Sequence, residues 1–121
     1  MKKVFLLLFL IVGFLGMSTN NNCKVEFEGV LIKENSVKLA DLLNCKKIVI
    51  VCDNQSRSSV EYYEIEVWIA GKGKLIENCN SSNFSTKLIE QLHSGDRIRI
   101  KSARVKSRPK ESFNSGIYSI Q

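Results

Sequence analysis

Hydrophobic residues recur at every second position between Tyr63 and Ile69. Tyr63, Ile65, Val67 and Ile69 alternate with Glu64, Glu66 and Trp68. A period of two places the first set on one face of a strand and the second on the other, so one face can be buried while the other stays wet. Ala70-Gly71-Lys72-Gly73-Lys74 supplies residues that tolerate positive φ, and Leu75 and Ile76 begin a return strand. After Asn78-Cys79-Asn80, the segment FSTKLIEQLHSGD predicts a short helix. Ser85 is its N-cap, Leu88, Ile89 and Leu92 line one side, and Gly95 closes the C-terminus.

The remaining stretches extend this β-rich pattern. Lys24–Lys33 alternates at first, Val25 and Phe27 against Glu26 and Glu28, until Gly29 marks a bend. Val37-Lys38-Leu39 reads as a short edge strand, and Ala40–Leu43 as one helical turn or a loop. Lys46–Cys52 carries four consecutive aliphatics, the pattern of a central strand covered on both faces. Asp53–Ser59 is polar and predicts a loop. In Asp96–Lys106, Ile98 and Ile100 are in phase, whereas Ala103 and Val105 have the opposite parity. One extra residue near Lys101-Ser102 returns all four to the core face, so a β-bulge is predicted there. The same correction aligns Arg97, Arg99, Arg104, Lys106 and Arg108 on the solvent face. Pro109–Ser115 reads as a loop and Gly116–Ile120 as the last strand. Short strands with a single short helix predict an all-β antiparallel β-sandwich.

The first residues follow a different rule. Lys2 and Lys3 precede a continuous apolar run, Val4–Leu15, broken only by Gly13, and Gly16-Met17-Ser18 offers small residues for cleavage. This is the layout of a secretory signal peptide over residues 1–18, leaving a single domain over 19–121. The run falls short of the roughly 20 apolar residues of a comfortable membrane span, so no stable span is expected after cleavage. A lipidated Cys23 is disfavoured by Asn20, Asn21 and Asn22 where small and aliphatic residues would be needed. The expected address is exported, periplasmic or extracellular. Of 18 basic residues, 16 remain without Lys2 and Lys3, against 12 acidic ones. So modest an excess permits attraction to acidic surfaces or polysaccharides but does not indicate nucleic-acid binding.

Four cysteines, Cys23, Cys45, Cys52 and Cys79, lie in the exported part. In a small exported domain an even count suggests two disulfides. Without a C-x-x-C pair and with His93 as the sole histidine, no metal site and no cofactor are expected. Cys45 and Cys52 bracket a strand of about 20 Å, and disulfide Cα atoms must lie within about 7 Å, so these two do not pair. Cys52 is left to bond Cys79 or Cys23, and a meander favours Cys52–Cys79.

Chemistry is sparse. Enzymatic hydrolysis needs a nucleophile–base or carboxylate pair, and His93 sits at a helix end without one. The function class expected is a non-enzymatic interaction module. Its candidate binding residues are Arg97, Arg99, Arg104 and Lys106, in a cationic ladder that also holds Lys101 and Arg108. Trp68 is either an exposed aromatic anchor or a core residue. The competing account of the ladder is intramolecular, by pairing with Glu61, Glu64 and Glu66 on a neighbouring strand. If those two strands are not neighbours, the ladder is a face for an acidic protein or other envelope component. A small secreted inhibitor acting through Asp53–Ser59 or Pro109–Ser115 is the alternative.

The segment Tyr63–Gln121 resembles a known family. A strand before a Gly-containing turn (YEIEVWIAGKGKLIENC) leads to Asn83-Phe84-Ser85 opening a short helix. Leu92-His93-Ser94-Gly95-Asp96 then exits into a basic strand. Together they look like the C-terminal domains of the gliding-motility protein GldM and its type IX secretion counterpart PorM, in Bacteroidota. The resemblance covers about half of the chain. It implies an immunoglobulin-like β-sandwich serving as an interaction surface, here as a stand-alone exported version, with no catalytic residue to carry over.

Overall fold

The alternating stretch around Tyr63 lies inside the longest strand of a computed structural model that describes residues 22–54 and 56–121. The signal peptide expected over residues 1–18 lies outside the described residues. In chain order the strands are β1 (Cys23–Phe27), β2 (Ser36–Val37), β3 (Ile48–Cys52), β4 (Arg57–Ile69), β5 (Gly73–Cys79), β6 (Arg97–Val105) and β7 (Tyr118–Ile120). Among the described residues a five-residue helix, α1 (Leu39–Leu43), and a 3-10 turn at Ile89–Gln91 complete the elements. The fold is all-β.

Pairing runs β1-β3-β4-β6-β7-β2, with β5 added to β4. The thirteen residues of β4 hold this together, because different parts of it serve different partners. Arg57–Ser59 pairs with β3, Tyr63–Ile69 with β5, and Val60–Trp68 with β6, all antiparallel. The sheet therefore curls, and its inward side chains meet in one cluster: Val25 and Phe27 from β1, Ile48 and Ile50 from β3, Tyr63, Ile65 and Val67 from β4, and Ile98 and Ile100 from β6. Leu42 of α1 and Ile89 of the 3-10 turn are buried in the same cluster. Burial of such side chains contributes roughly 1.5–3 kcal/mol each.

The bulge in β6 is present. Glu64 faces Lys101 and Tyr62 faces Arg104, so three steps along β6 oppose two along β4. Ser102 takes φ 57° to accommodate the extra residue. Ile98, Ile100, Ala103 and Val105 are consequently all buried. Asn114 Oδ1 accepts from the Ser102 N–H at 2.9 Å and Ser115 Oγ from the Ile100 N–H at 2.8 Å, which ties the following loop to this strand. A second register shift lies between Val60 and Tyr62, where the extra residue is on β4.

Several expectations need correction. The sheet is not purely antiparallel, since Ser36–Val37 runs parallel to Ser119–Ile120. The helix expected after Ser85 shrinks to the 3-10 turn. Ser85 caps no helix: its Oγ donates to Glu77 Oε2 at 2.7 Å and accepts from the Lys87 N–H at 3.4 Å. So short a segment cannot sustain a helix by itself, and burial of Ile89 and Leu92 sets its shape instead. The polar loop after Cys52 is also shorter than expected, because Arg57, Ser58 and Ser59 pair with β3 despite their polarity. Gly95 caps no helix either: the 3-10 turn ends at Gln91 with Leu92 beyond it, and Gly95, at φ +94°, donates its N–H to Ile120 O at 2.8 Å.

Cys23 is bonded to Cys52, and Cys45 and Cys79 are buried free thiols. One disulfide thus stands where two were expected, and Cys52–Cys79 is not formed. The reason is register: β1 enters beside β3 with Cys23 directly opposite Cys52, while Cys79 faces Tyr63 across β5–β4. The Cys45 thiol donates to Lys47 O at 3.3 Å. Burial pushes both thiols above their ordinary pKa and keeps them protonated. A thiol reagent should therefore label neither in the native protein, two after unfolding, and four after unfolding with reductant. The bridge closes a separation of 29 residues, so the double change Cys23→Ser with Cys52→Ser should lower stability by about 3.5 kcal/mol in denaturant titration.

Candidate functional site

The outer face of β5–β4–β6 gathers most of the chemically distinctive residues. Alternation on β4 turns Tyr62, Glu64, Glu66 and Trp68 away from the core, and register sets their neighbours. Trp68 lies between Lys74 and Arg97, Glu66 between Ile76 and Arg99, Glu64 between Asn78 and Lys101, and Tyr62 beside Arg104. The acidic and basic strands are therefore neighbours, the arrangement in which intramolecular pairing is expected, and Glu66 does pair with Arg99 and Lys101.

Glu66 is the centre of the face and is fully buried at 0% exposure. Arg99 grips its Oε1 with both Nε, at 2.9 Å, and Nη2. Lys74 and Lys101 reach its Oε2 from the flanking strands, at 3.5 and 3.8 Å. Burial alone would raise the Glu66 pKa. The hydrogen bond and charge of Arg99, with the charges of Lys74 and Lys101, outweigh it and hold the carboxyl below its ordinary value. One carboxylate thus anchors three cations.

The rings anchor the rest. Arg97 and Arg99 lie over Trp68 at 5.4 and 5.8 Å from the ring centroid, and Arg104 over Tyr62 at 5.5 Å. At these distances a guanidinium is attracted to the ring face. Trp68 is half-buried beneath its arginines, neither a core residue nor a bare aromatic anchor. Tyr62 Oη donates to Glu64 Oε2 at 3.2 Å, which engages the second carboxylate of the face.

Arg97, Arg99, Arg104 and Trp68 stand together on the face, and Lys106 is exposed one residue past the end of β6. Arg108 leaves the row. The chain turns after Val105, its Nη1 donates to Cys23 Sγ at 3.5 Å, and its Nε lies 3.6 Å from Glu111. Glu61 falls at the second register shift and is exposed, out of the acidic ladder. Sequence reasoning missed Lys74 and the 49% exposed Ile76, although the alternation Lys74, Ile76, Asn78 would have found them. It also missed that Glu66 is buried. On this face Lys74, Arg97, Arg99, Lys101 and Arg104 outnumber Glu64 and Glu66.

His93 is exposed, and its Nδ1 lies 3.9 Å from Asp96 Oδ2. Asp96 is buried and accepts from the His93 N–H at 2.8 Å and the Ala70 N–H at 3.1 Å. These backbone donors hold its pKa below the ordinary range against the opposing effect of burial. The cluster ties the β4–β5 hairpin to the start of β6. Among the described residues no group of His, Cys, Asp and Glu is arranged to hold a metal ion, and no helix is long and apolar enough to cross a membrane.

No family model matches the chain, and neither do any curated proteins or solved structures.

Glu66 and Asp96 both have folded pKa values below their ordinary 4.5 and 3.8. Each therefore contributes stability that is complete above the unfolded value and is lost as pH falls through the folded one. As far as these two carboxylates govern it, stability should be flat between about pH 5 and 8 and decline below pH 5. Glu66→Gln strands the Arg99 guanidinium and should cost about 2 kcal/mol at pH 7. In denaturant titrations the gap between Glu66→Gln and the parent should close as the pH approaches 2. A constant gap would assign the loss to packing and not to charge.

Proposed function

We propose that this is an exported, non-enzymatic interaction module that binds an acidic partner through the outer face of β5–β4–β6. The observation that carries the reading is the surplus of cations left on that face after Glu64 and Glu66 have been engaged. Exposed cations beyond those an internal carboxylate can neutralise repel one another, and an acidic partner relieves that repulsion. Arg97 and Arg104 are the exposed members not tied to Glu66, held ready by Trp68 and Tyr62, and exposed Lys106 follows in the turn after β6. Arg99 is the positioning residue, because its guanidinium is committed to Glu66.

Export is supported by the signal-like first 18 residues and by the Cys23–Cys52 bridge, which suits an oxidising compartment. An immunoglobulin-like β-sandwich of the GldM and PorM C-terminal kind is the finer fold reading. It is supported by the motif resemblance and by a curled sheet around one core. The non-enzymatic reading is supported by the setting of His93, whose imidazole meets only a buried, hydrogen-bonded carboxylate. An inhibitory loop has less behind it, since Phe113, Asn114 and Ser115 of Pro109–Ser115 bond back to β6.

Reversing charge at two exposed positions tests the reading. Arg104→Glu with Lys106→Glu should change stability by less than about 1 kcal/mol, because both are surface residues. Capture of envelope material by the immobilised protein should fall by about tenfold or more, and the parent's capture should weaken with added salt. Unchanged capture by a folded variant would remove the face from consideration.

A further inference from the structure

The cations of the face are not scattered but lie along one line. Arg97, Arg99 and Lys101 occupy alternate positions of β6, which sets their backbones about 7 Å apart. The row resumes at Arg104 after the bulge and stops there, one residue before β6 ends, so from Arg97 it spans about 23 Å. The cation that β5 contributes to the same face is Lys74.

The apolar side of the face is equally telling. A stable protein interface is built around aromatic or aliphatic anchors packed into a dry centre. Here the rings of Trp68 and Tyr62 already lie under Arg97, Arg99 and Arg104, and Ile76 is the exposed aliphatic residue on the face. Covered rings also leave no platform for stacked bases, on which single-stranded nucleic acid depends. A face three strands wide cannot enter a duplex groove as a helix or a two-stranded ribbon does. What remains is a row of cations along one strand, exposed at Arg97 and Arg104 and drawn to Glu66 at Arg99 and Lys101.

From this we infer that the ligand is a linear polysaccharide bearing repeating carboxylate groups, laid along β6. This rests on the reading of the outer face as a binding surface. The face already binds one carboxylate: Arg99 donates from two nitrogens to a single Glu66 oxygen, and Arg97 and Arg104 are exposed guanidinium groups on the same strand face. Their stacking on Trp68 and Tyr62 reduces the side-chain freedom lost on binding. Such a contact is charge-driven and weakens steeply with salt.

The test is titration of the whole exported chain with alginate, a chain of uronic acids, against polyglutamate, dextran sulfate and duplex DNA. Alginate should bind best, with affinity falling roughly tenfold or more between low and physiological salt. Arg97→Glu with Arg104→Glu should weaken it at least about tenfold. Lys46→Glu with Lys47→Glu makes the same change in net charge at exposed residues off the face, and should leave binding within about twofold. Thermal melts of both variants establish that they are folded.

Tighter binding of dextran sulfate would overturn the carboxylate assignment, and tighter binding of DNA the polysaccharide one. Polyglutamate binding best, and lost in the face variant, would overturn the polysaccharide while leaving the interaction face intact. Equal losses in the two variants would reduce the effect to net charge and overturn the inference. Binding to none of the four probes would also overturn it; the wider reading falls only if capture of envelope material survives charge reversal too.

Discussion

The outer face depends on one buried carboxylate. Glu66 sits on the middle strand of three, fully covered, and three cations converge on it from both sides. Burying a charge is costly unless it is paired and hydrogen-bonded. The fork of Arg99 meets that condition, and the two lysines offset the charge of the other oxygen. Because Arg99 is held, it can lie over Trp68, and Trp68 in turn supports Arg97. The arrangement is a set of mutually dependent contacts, and an apolar residue at position 66 would leave its neighbours without an anchor.

The second constraint is the length of β4. A strand of thirteen residues can serve β3 at one end and β5 at the other, with β6 alongside. Right-handed twist accumulates along so long a strand and turns the sheet around its own core. Bulges on β6 and on β4 adjust the register where the curvature requires it. Asp96 fastens the far end by accepting backbone N–H groups from two turns at once. Cys23–Cys52 fastens the other by joining the first strand to its neighbour.

These features separate scaffold from surface. The bridge, the two buried thiols and Tyr63 belong to the scaffold. The Tyr63 hydroxyl donates to Asn83 O at 2.7 Å and accepts from the Ser85 N–H at 3.2 Å, and burial raises its pKa. None of these groups is placed to meet a ligand from solvent. The exposed arginines are, and they stand on a strand whose inward side chains are fixed by the core. A rigid strand carrying charged forks is a suitable base for recognition, because little freedom is lost when a partner arrives.

Periodicity alone determined the strands with one buried face, because burial of every second residue leaves its mark directly on the sequence. It located the Tyr63–Ile69 part of β4 and the start of β5, assigned Trp68 to the outer side, and placed the bulge near Lys101-Ser102 from the parity of Ile98, Ile100, Ala103 and Val105. Strand length sufficed to exclude a Cys45–Cys52 bond. Partner choice was decided only in three dimensions. Whether Cys52 meets Cys23 or Cys79 depends on which strand lies beside β3, and local spacing carries no record of that. The helix after Ser85 became a 3-10 turn because tertiary burial of Ile89 overrode a weak local propensity. Glu66 looked like any solvent-facing residue between two apolar ones. Its burial comes from long side chains on two other strands, brought over it by register, and register is a property of the folded sheet.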